Sequence, residues 1–394
     1  MPVFYNFTQD GLTYSFDDIF VPADLFREGN LFTWGAGSNG ALGNASTTDR
    51  STPVTTFAGG ANWKQISLGD LDTVAIKTDG TLWTWGAGDY GVLGNNQTTN
   101  KSTPVTTFAG GNNWKQVACG RHHMAAIKTD GTLWTWGRVV YGALGNASTF
   151  INRTTEVTTF AGGTNWKQVS CSGRSTAAIK TDGTLWTWGS GTSGRLGNGV
   201  TTGTISTPVT TFAGGTNWKQ VDCGYSHVAA IKTDGTLWTW GIGSNGILGN
   251  NQTTNKSTPV TTFAGGTDWK QASAGQFNVA AIKTDGTLWI WGSGNNLGTN
   301  DITTRSTPVT TFAGGNNWKQ VSSGEGATAA IKTDGTLWIW GSGTRGTLGT
   351  NDTTSRSTPV TTFAGRNDWK QVSVGKNTAG TVPTAALTYI DPVI

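Results

Sequence analysis

Apolar and polar positions alternate along this chain in short runs, and no stretch holds the period of a helix. The run Ala125-Ala126-Ile127-Lys128-Thr129-Asp130-Gly131-Thr132-Leu133-Trp134-Thr135-Trp136-Gly137 is representative. Two apolar stretches meet at Asp-Gly, where Gly accepts positive φ at no steric cost, so the run predicts two strands joined by a tight turn. Trp134 and Trp136 are two apart and fall on one face of the second strand, placed to pack on a neighbouring sheet. Trp114-Lys115-Gln116-Val117 predicts another strand, and the segment around Pro53, Val54 and Phe57 a fourth, with proline at its start where a missing donor is tolerated.

This unit recurs seven times, with W-G marks at Trp34, Trp85, Trp136, Trp188, Trp240, Trp291 and Trp340. A second mark, W-K, recurs at Trp63, Trp114, Trp166, Trp218, Trp269, Trp318 and Trp369, about 51 residues apart. All 20 Trp belong to the repeat. Four short strands per unit is the content of one propeller blade, so the chain is expected to be all-β: a seven-bladed β-propeller of four-stranded blades over residues 25–394. The two ends complete each other. Trp369 has no W-G after it and Trp34 no W-K before it, so Thr384-Ala385-Ala386-Leu387 and Leu31-Phe32-Thr33-Trp34 are expected to share the seventh blade, with the latter as its missing outer strand. Closure of this kind removes two exposed sheet edges.

Composition agrees with a folded, uncharged surface. Gly supplies 58 of 394 residues, charged residues are only 13%, and the net charge is +4 with no basic run, which argues against nucleic-acid binding. No apolar stretch approaches the length of a membrane span, and the first 25 residues carry no conventional export signal.

Val117-Ala118-Cys119-Gly120, with His123, Ala126, Gly131, Trp136-Gly137, Gly142 and Leu144-Gly145, resembles the regulator of chromosome condensation repeat family. The resemblance spans residues 25 to 390 and implies the propeller fold; its members range from a nucleotide-exchange factor to a β-lactamase inhibitor, so it implies no single activity. The histidine of the family pattern stands at His123 and His227, while Asp72, Thr176, Asn278 and Ala327 are read at that position elsewhere.

Candidate chemistry is sparse. Gly35-Ala36-Gly37-Ser38-Asn39-Gly40 fits a dinucleotide fingerprint but recurs without a following helix, and is read as a turn. Cys119, Cys171 and Cys223 share one repeat position with Leu68, Ala274, Ser323 and Val374, the pattern of a packed inner strand. No carboxylate, Ser or Cys sits at a fixed offset from His122, His123 or His227, and most carboxylates are the Asp of T-D-G turns, so no catalytic residue, metal or cofactor is expected.

The loops where copies differ are more informative. Arg121, His122, His123 and Met124, then Arg138, Val139, Val140 and Tyr141, then Phe150, Ile151 and Arg153 replace Gly, Ser, Asn and Thr of other copies, and Tyr225, Gln276 and Phe277 add a smaller cluster. Aromatic groups beside Arg have the composition of a protein contact surface. Residues 1–24 are read as a separate arm in which Phe4, Tyr5, Phe7, Tyr14 and Phe16 stand among acidic residues; alternation around Asp10-Gly11 suggests a hairpin that either docks the ring onto another subunit, including a second copy, or folds back to cap the ring's own face.

Two functions follow as expectations. The first is a non-enzymatic phage virion subunit, assembled in the host cytoplasm and displayed on the virion surface, where the propeller meets other virion proteins or a host-surface protein or glycan. The second is a soluble propeller that binds and inhibits or regulates one protein partner.

Overall fold

The computed structural model describes residues 6–9, 12–15, 28–376 and 382–389. Among these, seven four-stranded antiparallel sheets form the blades of a closed ring. Blade 1 is continuous in sequence: inner strand Trp63–Leu68, then Asp72–Lys77, Leu82–Gly86 and outer strand Lys101–Thr106. Blades 2 to 6 repeat this order from inner strands beginning at Trp114, Trp166, Trp218, Trp269 and Trp318. Blade 7 pairs Trp369–Val374 with Pro383–Tyr389, then Glu28–Gly35, then Arg50–Thr55, so the two ends of the chain do close one sheet. Glu28–Gly35 is the third strand of that blade, where the outermost was expected; Arg50–Thr55 takes the edge.

Proline also sits elsewhere than expected. Pro53 falls inside Arg50–Thr55 and not at its start, which is tolerated because every P-V-T strand is the outer edge of its blade and one face of its backbone needs no donor. In the arm, Asn6–Gln9 and Leu12–Ser15 pair as the anticipated hairpin, with Phe7 opposite Tyr14. Phe4, Tyr5 and Phe16 lie outside the described residues.

The core lies between blades. Val74, Ile76 and Leu82 of blade 1 join Trp114, Val117, Cys119 and Trp136 of blade 2 in one buried cluster, and equivalent clusters recur around the ring. Trp114 and Trp136 meet edge to face at 6.4 Å, the arrangement their quadrupoles favour. The L-G pair explains the next contact: a Cβ at Gly94 (φ 64°) would meet the Trp136 indole at 2.8 Å, while that indole donates to the Val92 carbonyl at 2.8 Å. The T-D-G turns are equally determined. Asp79 accepts hydrogen bonds from the Thr81 amide at 2.9 Å and hydroxyl at 2.6 Å, Trp83 donates to that hydroxyl, and Lys77 covers the Trp83 ring at 4.6 Å. These bonds hold the Asp79 carboxyl below its usual range.

The glutamine of W-K-Q, read from sequence only as part of a strand, joins the blades. Gln116 donates to the Val169 carbonyl and accepts from the Val169 amide, both at 2.8 Å, and so clamps blade 2 to blade 3. Gln65, Gln168, Gln220, Gln271 and Gln320 do the same from their blades, and Gln371 closes the circle on Ile66 at 3.2 Å. Inside this ring of amides runs a polar channel of about 200 Å³. Lys376 crosses it from blade 7 to reach Asp222 of blade 4 at 3.0 Å and the Cys223 carbonyl at 2.9 Å.

Candidate functional site

Antiparallel order within a blade puts two loops at each end of the ring. The loop after the inner strand and the loop before the outer strand share one face, and it is these loops that vary between copies. The opposite face carries the near-identical T-D-G turns and F-A-G segments, with Phe57, Phe108 and their counterparts exposed.

On the variable face, blades 1 to 4 build a continuous cluster of Arg and Tyr. Tyr90 lies in the turn before the outer strand of blade 1, held at φ 62°, and Tyr141 occupies the equivalent place in blade 2 at φ 71°. Asn39 and Asn245 take this left-handed position in two other copies, as expected of the residue that tolerates it. A bulky ring there costs about 1 kcal/mol or more of backbone strain. Each ring is covered from the following blade. Arg138 lies 4.5 Å over Tyr90, whose edge His122 meets at 5.5 Å, and Arg174 lies 4.7 Å over Tyr141.

Arg121 ties the loops together across the channel mouth, reaching the Tyr225 hydroxyl of blade 4 at 3.3 Å and Asp70 of blade 1 at 3.4 Å. Buried Arg195 donates to the Tyr225 carbonyl at 3.3 Å. Arg121, His122, Arg138, Tyr141 and Arg174 line a small cavity of about 80 Å³. A second one of about 180 Å³ lies between Tyr225 and Phe277. Burial, then Arg121 and Arg138, push the His122 pKa down to about 4, so this ring is neutral at pH 7 and the positive charge of the cavity comes from its guanidinium groups.

The expected contact residues therefore divide. Arg121, His122, Arg138, Tyr141 and Tyr225 come together, while Phe150 and Ile151 stand exposed in the longest of the variable loops and Phe277 is half-exposed beyond Tyr225. His123 and Val139 lie deeper. His123 is 2% exposed, lines the same cavity as Arg121 and Tyr141 and hydrogen-bonds Thr176 at 2.9 Å between blades, its pKa pushed down to about 3 by burial, and Val139 is buried. The register also moves one repeat position: Ser175, opposite Gly189, is the counterpart of His123, opposite Gly137, so Ser175 and not Thr176 replaces that histidine. Arg174 is thereby the counterpart of His122, which is why both meet a tyrosine of the preceding blade. Tyr90, Arg174 and Arg195 were not singled out from sequence. The signal for Tyr90 was an aromatic residue where other copies have Asn or Ser, and for Arg195 a cation where other copies have Ala41, Val92, Ala143 or Ile247.

Cys119, Cys171 and Cys223 are buried on neighbouring inner strands, as a packing role requires, and burial pushes their thiols up, that of Cys223 to about 12. Beside them, burial and then Asp70 raise the fully enclosed Asp72 carboxyl to about 8; it accepts from the Cys119 thiol at 3.3 Å.

Ring, loop face and channel define a seven-bladed β-propeller whose variable loops gather Arg and Tyr on one end. The chain belongs to the regulator of chromosome condensation (RCC1) repeat family, whose model matches residues 28–76, 79–127, 130–179, 182–231, 234–282 and 334–381. It is 32% identical over 263 residues to the ultraviolet-B receptor UVR8 of Arabidopsis thaliana, covering 66% of this chain and 60% of that protein. Over 226 residues it is 29% identical to the human E3 ubiquitin-protein ligase HERC2, covering 55% of this chain and 5% of the ligase. The chain thus spans 60% of the length of the first of these relatives and 5% of the second. Among solved structures, human WBSCR16 superposes with a TM-score of 0.78 at 20% identity over 91% of this chain and 98% of that one. Yeast RCC1 (Prp20), solved bound to Kap60, gives 0.78 at 19% identity over 93% and 90%. Both share the fold.

Proposed function

We propose that this chain is a non-catalytic binding module whose variable face grips an acidic segment of a protein partner. One observation carries the reading: two tyrosines are held in a left-handed conformation, each under a guanidinium, and one of them, Tyr141, lines a cavity with three arginines. Strain of this kind persists where it presents a side chain for use, and Tyr with Arg is the pairing enriched where interfaces concentrate their binding energy. An incoming carboxylate would meet a bidentate fork and displace little besides water. A protein partner also fits the family, in which Prp20 is seen with Kap60. The T-D-G carboxylates are engaged by their own turns, which supports a role without catalysis.

The test compares the full chain with an Arg138→Ala/Arg174→Ala variant as bait for proteins of its source, with photo-crosslinking from position 141. A partner retained by the native face, crosslinked at 141 and lost from the double variant supports the reading; equal retention by both refutes it. The setting proposed from composition, a virus particle with the ring displayed outward on its aromatic arm, has a separate test. Gradient-purified particles should hold the chain at a fixed ratio to capsid proteins after a salt wash, and its confinement to the soluble fraction would remove that setting.

A further inference from the structure

A recess larger than either of the cavities at the Arg and Tyr cluster lies outside that cluster. It lies across the ring between blades 5 and 6, a cleft of about 520 Å³. Its origin is a shortened loop. Thirteen residues take the chain from Gly292 to Arg305, against fifteen from Gly35 to Arg50. The short helical turn inside that loop changes accordingly: it begins at Gly294, the counterpart of Gly37, one repeat position earlier than the turn that begins at Ser38.

The lining is chemically distinct from the cationic cavity. Phe277, 44% exposed, and Ile302 form an apolar side; Asn296, Glu325, Ser342 and Arg356 supply amide, carboxylate, hydroxyl and guanidinium from the other. Asn296 is fixed by donating to the Glu325 carbonyl at 3.1 Å, and Arg356 by Asp352 at 2.6 Å. Both signs of charge are present, and Arg356 already holds a carboxylate, so neither an anion nor a cation has the advantage here. What fits is an uncharged ligand with many hydroxyls and one apolar face. A pyranose has that character: its C–H face lies on an aromatic ring while its hydroxyls bridge amide, carboxylate and guanidinium groups. The volume falls within the range of small-ligand sites and accommodates about two sugar rings.

We propose that the cleft between blades 5 and 6 is a saccharide-binding site, separate from the protein-contact cluster on blades 1 to 4. The full chain is tested by saturation-transfer NMR with maltose, lactose and N,N′-diacetylchitobiose as probes at millimolar concentration. Transfer to at least one disaccharide is expected. Phe277→Ala, at a half-exposed loop residue, should weaken it by about tenfold, the equivalent of 1.4 kcal/mol, and Ser342→Trp, which fills the cleft, should abolish it. Unchanged melting of Phe277→Ala shows that loss is not unfolding, and unchanged transfer in Arg138→Ala/Arg174→Ala separates this site from the protein face. No transfer from any of the three sugars to the native chain, or transfer that persists undiminished in both cleft variants, overturns the proposal.

Discussion

Replacing Gln116 tests whether the glutamine circle holds the ring together. Its side chain makes two bonds to one residue of the next blade, donating to Val169 O and accepting from Val169 N at 2.8 Å each. A hydrogen bond contributes about 1 kcal/mol net, so Gln116→Ala should cost about 2 kcal/mol. The freed Val169 groups face the channel, whose roughly 200 Å³ admits water, so the larger penalty of an unsatisfied buried group does not add. Gln116→Glu sharpens the argument. A protonated carboxyl has one O–H donor and one carbonyl acceptor and can restore both bonds; the carboxylate cannot donate and sets its charge against the Val169 oxygen. The folded state therefore favours the protonated form and raises this carboxyl above its unfolded value near 4.3. A group raised on folding contributes stability below its unfolded pKa and loses it as pH rises through the folded value. Urea unfolding of native, Ala and Glu forms between pH 4 and 7 measures the difference at each pH. The Glu form should approach native stability at pH 4 and fall toward the Ala form, or below it, by pH 7. An Ala form within about 0.3 kcal/mol of native, or a Glu form with no pH dependence relative to native, would refute the clamp, since neither is compatible with two bonds of about 1 kcal/mol.

Three other outcomes follow from the same geometry. Asp72, raised to about 8 by burial, should make the native protein less stable as pH rises from about 4 toward 8, by up to about 1.4 kcal/mol per pH unit, and Asp72→Asn should flatten that slope in unfolding curves across this range. Deleting residues 382–394 removes the strand Pro383–Tyr389 that pairs with both Trp369–Val374 and Glu28–Gly35, so the product should elute as aggregate or melt well below the intact chain; a truncated form melting at the intact temperature contradicts closure. The Lys376 to Asp222 pair is mostly enclosed, and a double-mutant cycle with Lys376→Met and Asp222→Ser should return a coupling of about 1 kcal/mol that survives moderate salt better than an exposed pair would; zero coupling would show that the channel is bridged only in passing.

The ring was legible because its signals are local and repeated. Two Trp at strand spacing, Asp-Gly between apolar runs and complementary ends specify hairpins, blade number and closure without any knowledge of distant contacts. Errors arose where a local signal competed with a tertiary one. Proline reads as a strand start, yet an edge position makes it acceptable within the strand; Gly173 draws Thr176 into the place of His123, although the strand pairing gives that place to Ser175. His123 stands beside His122 and Arg121 in sequence, but successive residues of a strand end point to opposite sides, so its ring reaches Thr176 in the seam between blades while it also borders the cavity.

Recognising the Arg and Tyr cluster and the channel requires the third dimension to different degrees. The cluster could be half seen, since near-identical copies act as one another's control and a tyrosine at an Asn position stands out against them. Its strain could not, because φ belongs to the fold. The glutamine was visible in all seven copies and still uninformative, since invariance among copies looks the same for a strand filler and for a clamp. Lys376 and Asp222 offer no signal in sequence: they lie 154 residues apart, and only closure of the ring sets blade 7 facing blade 4 across the channel. Each is a departure from its repeat, Asp222 standing where Ser170 and Ser273 stand, and Lys376 following the last inner strand. The hydroxyls of both serines now donate to the Asp222 carboxylate, at 3.0 and 3.2 Å, so the exchange of one hydroxyl for a carboxylate recruited its neighbours as donors and left a charge that Lys376 meets from the far side. A copy-by-copy comparison registers two unrelated substitutions; only the closed ring makes them one interaction.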